Sequence, residues 1–297
     1  RIPVGKPTEL TTEEKEIPHQ TKETIYKIVT QEKELISLVD SLATSNGFAF
    51  DTETTSLDAM QAELVGLSFS MQAGEGFYVP LGHSEDGQIP MTRALEILAP
   101  VLEHKDIPKI AHNGKYDMQV LANAGIDVRG LAFDTMVAAL LLGERALGLK
   151  ELAFSLIGVE MTPISELIGK GQKKVTFDLV PIEQAGQYSA ADADMTWRLK
   201  ELFEGKLQNE PKLWQLFTTL EIPMIPILKR MERHGIALET DSLEMLGEEL
   251  ATDLGKLETK LYLELGHQFN IRSPSQVSAV LFQELGLPGG KRTGTGA

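Results

Sequence analysis

Three short constellations carry the residues best suited to chemistry. The first is Asp51-Thr52-Glu53, which follows the apolar stretch 47–50. Side chains at i and i+2 of a strand share a face, so a strand here brings both carboxylates to one point. Placing two acids at the end of an apolar strand is costly unless a cation joins them. The second is His112-Asn113-Gly114-Lys115-Tyr116-Asp117, at a junction from strand to helix. Asp117 has two readings there, a site carboxylate or a first-turn acid complementing the helix dipole. Tyr116 has the character of a core residue. The third is Tyr188-Ser189-Ala190-Ala191-Asp192, inside a strongly helical stretch. Positions i and i+4 share a helix face, which makes the phenol and the carboxylate neighbours. The small residues between them allow that face to approach another surface closely. Taken singly, each pattern is common: an Asp-x-Glu often opens a solvated loop, and a Tyr/Asp pair is often a surface hydrogen bond.

The elements that must position these groups follow from periodicity. Residues 24–30 alternate as a strand and 31–44 have helical spacing. Strands are predicted at 47–51, 64–71, 76–80 and 109–112, with an amphipathic helix at 91–102. Alternating strands and helices predict an α/β sheet of about five strands. From Asp134, a predicted helix cap, the pattern is almost wholly helical: 135–142, 149–157, 181–207, 211–234 and 241–265. Pro223 and Pro226 are expected to kink or break the fourth of these. Ser273-Pro274-Ser275-Gln276 reads as a capping box. Residues 1–22, rich in Pro, Thr and Glu, read as a linker, and the best domain cut falls near Asn209.

Bulk properties narrow the function classes. The 297 residues are 42% hydrophobic and 24% charged, an ordinary globular composition. The longest apolar run, 136–142, falls far short of the ~20 residues of a membrane span, so no membrane partner is expected. The chain has no cysteine, which excludes disulfides and thiolate metal sites and fits a reducing cytoplasm. Its net charge of −15 is unusual for a free-standing duplex-binding protein, which neutralises phosphates with Lys and Arg. Charge alone points rather to a small-molecule enzyme, or to one part of a larger protein whose basic cleft lies elsewhere.

Taken together and in order, the three constellations resemble the four-carboxylate-plus-tyrosine signature of 3′→5′ exonucleases. Residues 50–57 (FDTETTSL) are similar to the first exonuclease motif of the bacterial DNA polymerase I family, and 188–196 (YSAADADMT) to its third. Residues 133–142 and 149–152 match the connecting helices of that domain. Leu220-Glu221-Ile222-Pro223-Met224, the stretch 269–276, Leu285-Gly286-Leu287-Pro288 and 291–296 resemble the entry to the polymerase domain and its thumb.

The resemblance implies a ribonuclease H-like α/β fold, a mixed sheet flanked by helices, followed by an α-helical thumb fragment. It divides the chain into a linker (1–22), an exonuclease domain (23–208) and a truncated N-terminal part of the polymerase domain (209–297). It implies two divalent cations, Mg²⁺ or Mn²⁺, which suit an all-carboxylate site. Asp51, Glu53 and Asp192 are expected to hold one ion, and Asp51 with Asp117 the other. Tyr188 is expected to orient the attacking water; with a reference pKa near ~10 it is a poor general base. Thr52, Leu57 and Asn113 are expected to contact the strand, Leu57 as an apolar wedge with a core residue as its alternative. Lys291 and Arg292 are expected to touch DNA at a flexible thumb tip; Gly289-Gly290-Lys291-Arg292 does not meet the phosphate-loop pattern. The implied partners are a single-stranded or frayed DNA 3′ end and the remainder of a polymerase chain in a bacterial cytoplasm, associated with the nucleoid. Without palm or fingers, the chain is not expected to polymerise.

Other acids and histidines are given simpler roles. Asp194 points about 160° away from Asp192 around a helix, and solvation is expected. Asp58, Asp127 and Asp178 read as loop or capping acids, and His83, His104 and His112 have no ligand spacing. Two rivals remain: a ribonuclease D-like RNA exonuclease, which shares the five positions but lacks a thumb-like segment, and an inactive DNA-binding relic.

Overall fold

In the computed structural model, residues 24–171 and 174–289 are described. Six strands form one mixed sheet: β1 (Ile25–Ile28), β2 (Phe48–Thr54), β3 (Leu64–Ser70), β4 (Glu75–Pro80), β5 (Lys109–Ala111) and β6 (Leu131–Asp134). The order is β1-β4-β3-β2-β5-β6. β2, β3 and β4 pair antiparallel, as hairpin-spaced strands do; β1, β5 and β6 join in parallel. Helices α1 (Glu32–Thr44), α2 (Met91–Leu102), α3 (Gly114–Asn123), α4 (Thr135–Leu141), α5 (Leu149–Leu152), α6 (Ile164–Ile168) and α7 (Ile182–Gln208) flank it. This is the ribonuclease H-like arrangement anticipated, with one strand more. The extra strand, β6, has only four residues, too few to show alternation; pairing with β5 makes it a strand.

β2 also runs to Thr54 rather than stopping at Asp51, because residues 49–54 pair with β3. Asp51 and Glu53 therefore sit within the sheet, opposite Ser68 and Gly66. Phe48, Phe50, Phe69, Leu35, Leu42, Leu98 and Leu102 are fully buried in the main core. Burying side chains of this size stabilises by about 1.5–3 kcal/mol each.

α7 crosses the sheet at close range, and small residues permit this. A Cβ on Gly76 would stand 2.5 Å from the carbonyl oxygen of Ala190, and one on Gly186 would stand 2.5 Å from Ile28. Held this close to the sheet, α7 also reaches β2, the strand that bears Asp51 and Glu53, where Ser189 meets Glu53.

The chain forms two compact units, dividing at Gly235/Ile236. Residues 211–234, beyond the cut read near Asn209, pack on the first unit. Phe217 is fully buried, with its ring centroid 4.7 Å from that of Phe133, and Lys229 pairs with Asp127 at 3.1 Å. The stretch is helical throughout rather than broken at its prolines. α8 (Pro211–Leu216) passes through a π turn, Phe217–Glu221, into α9 (Ile222–His234), which contains Pro226. A wider π turn just ahead of Pro223 accommodates the disrupted hydrogen-bond ladder.

The second unit contains α10 (Thr240–Leu265), ended by Gly266 at φ 78°, and α11 (Pro274–Ser278), which continues as a π turn, Ala279–Glu284. Half of the expected capping box forms: Ser273 Oγ accepts from Gln276 N–H, but Gln276 Oε1 accepts from Asn270 N–H. Among the described residues, no helix is long and apolar enough to cross a membrane. The linker 1–22 and the basic pair Lys291 and Arg292 lie outside the described residues.

Candidate active site

β2 and α7 supply the centre of the site. Asp51, Glu53 and Asp192 each place a carboxylate oxygen within 4.8 Å of the others. Glu53 and Asp192 are buried and Asp51 partly so. They line a cavity of about 350 Å³ with Asp117, Asn113, Tyr188 and His112. Asp117 stands outside the three-acid group but on the same cavity, held by the N–H and hydroxyl of Thr52 at 3.1 and 2.6 Å. Thr52, expected to meet substrate, directs both of these donors at Asp117.

The start of α3 is fixed by a shared cap. Asp134 accepts from Asn113 and Gly114 N–H on one side and from Met136 and Val137 N–H on the other. It thereby closes the N-termini of both α3 and α4, a larger role than the single cap expected. Asn113 adopts φ 65°, ψ 42°, the only left-handed non-glycine among the described residues. Asparagine tolerates that region better than most. This turn swings α3 so that Asp117 faces Thr52.

Burial governs the electrostatics. It raises all four carboxyls above their ordinary range, with the neighbouring acids adding to the effect at Asp51 and Glu53. Glu53 rises to about 8, Asp117 to about 7 and Asp192 to about 6. Ser189 opposes the rise at Glu53 by donating to Oε1 at 2.7 Å, and the nearby Lys150 ammonium opposes it at Asp192. Tyr188 is pushed further up by burial and by Asp192, so its hydroxyl keeps its proton. Asp192 Oδ1 is buried without a hydrogen-bond partner. A cluster of buried acids with an unsatisfied oxygen fits a divalent cation, and the all-oxygen donor set fits a hard one.

Next to Glu53 runs an apolar groove of about 350 Å³, lined by Leu57, Ile164, Ile168, Val175 and Phe177. Leu57 is 91% exposed, which removes its alternative as a core residue. Tyr116 packs against the core as read, and its hydroxyl also pairs with Thr54 Oγ1 at 2.6 Å, donates to the Ser56 carbonyl and so braces the turn leading to Leu57.

Asp194 is a correction. It is fully buried, not solvated, and accepts from Arg198 Nε and Nη2 at 2.9 and 2.8 Å, from Tyr26 at 2.9 Å and from Gly74 N–H at 2.8 Å. It faces away from the cavity, but β1 and the turn before β4 cover that side. Spacing alone marks neither Ser189, which reads as a small spacer, nor Lys150, which lies in another helix.

A family model described as 3′-5′ exonuclease matches residues 26–208. The chain belongs to this exonuclease family. It is 44% identical over 262 residues to DNA polymerase I of Chloroflexus aurantiacus, covering 88% of this chain and 28% of that protein. It is 39% identical over 290 residues to DNA polymerase I of Pseudomonas aeruginosa, covering 95% of this chain and 32% of that protein. The chain thus spans about a third or less of these relatives. Among solved structures, the POL domain of Pol1 from M. smegmatis, in complex with DNA primer-template and dNTP, superposes with a TM-score of 0.70 at 27% identity. That match covers 91% of this chain and 43% of the other. Family membership makes the chain a 3′→5′ exonuclease, an enzyme class that uses divalent metal, and the Asp51–Glu53–Asp192 cluster is where the metal fits.

Proposed function

We propose that this chain removes deoxynucleoside monophosphates, one at a time, from single-stranded or frayed DNA 3′ ends, as the proofreading part of a DNA polymerase I. The observation that carries the reading is the convergence of Asp51, Glu53 and Asp192 within 4.8 Å, beside Asp117 and Tyr188. The relatives named DNA polymerase I and the DNA-bound neighbour support DNA over RNA as substrate. On this reading residues 23–208 are the exonuclease domain and 209–297 the start of the polymerase domain, set in a bacterial cytoplasm with access to the chromosome.

Asp51, Glu53 and Asp192 would hold one divalent ion, Mg²⁺ or Mn²⁺, and Asp51 with Asp117 a second. When bound, such a pair activates water and offsets charge on the attacking and leaving oxygens. The chain's own residues do the rest. Tyr188, protonated throughout, donates its hydroxyl to orient the attacking water rather than removing its proton. Thr52 and Ser189 hold Asp117 and Glu53 in place. Leu57 meets the terminal bases through apolar contact, and Asn113 lines the path of the strand. Lys291 and Arg292 would contact the DNA backbone. Contacts of this kind tolerate any sequence, and a mismatched end is easier to unpair, which supplies selectivity.

The test is release of nucleotide from 3′-labelled single-stranded DNA and its RNA counterpart, with and without Mg²⁺. Metal-dependent release from DNA, abolished in Asp51→Ala, is expected. Strong RNA preference would point to the ribonuclease D-like rival, and the absence of metal-dependent release to a binding relic.

A further inference from the structure

One charged side chain at the active site has no task in the reaction as described. Lys150 lies in α5, in a different part of the sequence from the acids. Its Nζ donates to the Thr162 carbonyl at 2.7 Å, stands 3.7 Å from the centroid of the Tyr188 ring and lies 3.5 Å from Asp192 Oδ1. The side chain is only 24% exposed. The last contact has ion-pair distance without hydrogen-bond geometry, so Asp192 Oδ1 keeps its capacity to accept.

We propose that Lys150 is a positioning residue of the exonuclease, its ammonium fixing the Tyr188 ring and the Asp192 carboxylate relative to each other while Thr162 anchors it. The argument is geometric. Tyr188 and Asp192 occupy i and i+4 of α7, and one ammonium lies against both, so it restrains the two side chains together. A cation over an aromatic face is attracted to it, and the attraction grows as water is excluded. The carbonyl of Thr162 accepts a hydrogen bond from one of the three ammonium N–H groups, which anchors the lysine beside the acids. Lys150 thereby limits rotation of the ring whose hydroxyl must orient water. Its positive charge has a second consequence, because it opposes a divalent ion at Asp192. Lys150 should hold the site in geometry while weakening its grip on metal.

The inference rests on the assignment of Tyr188 and Asp192 above. The experiment compares the unaltered chain with Lys150→Met, Lys150→Arg and Asp51→Ala, using labelled single-stranded DNA and a titration of Mg²⁺. Lys150→Met should lower kcat about 10–100-fold, the usual range for groups that orient metal ligands. It should leave KM for DNA within about twofold and lower the Mg²⁺ concentration giving half-maximal rate. Lys150→Arg keeps a cation over the ring and should restore most of kcat. Three results would overturn the proposal. One is an unchanged kcat in Lys150→Met. Another is a rise in KM alone, which would make Lys150 a DNA contact. The third is equal loss in both lysine variants with a lowered Tm, which would make it a scaffold residue. If Asp51→Ala also retains activity, the site assignment itself fails; if only that variant is inactive, the assignment stands and the role of Lys150 falls.

Discussion

Ser189 Oγ donates to Glu53 Oε1 across 2.7 Å, joining a helix to a strand 136 residues earlier in the chain. Both residues are buried, so the bond fixes one carboxylate oxygen and leaves the other for the cavity. Ser189→Ala removes only the hydroxyl. We expect nucleotide release to fall about tenfold, at the lower end for a group that orients a ligand. Stability should change by no more than about 1–3 kcal/mol. Steady-state kinetics and thermal melting on the same preparation check this. A variant with full activity would show that Glu53 needs no such support.

Asp192 and Asp194 are two residues apart and should respond in opposite ways. Asp192→Asn removes a buried charge from a crowded acidic cluster, so the metal-free protein should melt higher while activity is lost. Asp194→Asn leaves the partly buried Arg198 beside a neutral partner and weakens the contacts to Tyr26 and Gly74. Breaking a fully buried pair costs about 3–5 kcal/mol; with Arg198 partly solvated the loss is smaller, and Tm should still drop. Mg²⁺ should raise the Tm of the unaltered chain and of Asp194→Asn but have a much weaker effect on Asp192→Asn. Calorimetry with and without Mg²⁺ separates the two.

Leu57 makes almost no contribution to the core. Leu57→Ala should therefore leave stability within about 0.5 kcal/mol. If the side chain wedges against terminal bases, losing about 1.5 kcal/mol of apolar contact should raise KM for single-stranded DNA about tenfold. An unchanged KM would remove it from the substrate path.

Burial lowers the pKa of His112 to about 4, while in the unfolded chain it should titrate near ~6.5. The unfolded state then binds more protons between those values. The neutral imidazole's contribution is complete above pH ~6.5 and is lost as pH falls toward about 4. Denaturant unfolding from pH 7 to 4 should show this as a steeper decline in the unaltered chain than in His112→Gln. The difference between the two slopes isolates this group from the carboxylates, and parallel slopes would mean that His112 is solvated.

Much of the site could be read from spacing because its geometry is local. Asp51 and Glu53 share a face through the two-residue period of a strand, and Tyr188 and Asp192 through the four-residue step of a helix. Asp134 announced itself as a cap before a helical run. What escaped reading depends on neighbours remote in sequence. Asp194 points away from the cavity as helix geometry requires, yet nothing in its vicinity reveals that Tyr26 and Gly74 cover it. Ser189 reads as a spacer until Glu53 lies beside it, and β6 is too short to show a period. The helical period after Asn209 is legible in the sequence, but which unit these residues pack on follows from Phe217 meeting Phe133.

The double cap at Asp134 has a kinetic corollary. Four amide hydrogens from two helix starts converge on one carboxylate, so loss of that carboxylate's position frees both starts at once. Amide exchange at Gly114 and at Met136 should then proceed through a single shared opening, with matched protection and matched sensitivity to temperature. The corner that carries Asp117 would behave as one latch, which suits the metal-holding role proposed for that carboxylate.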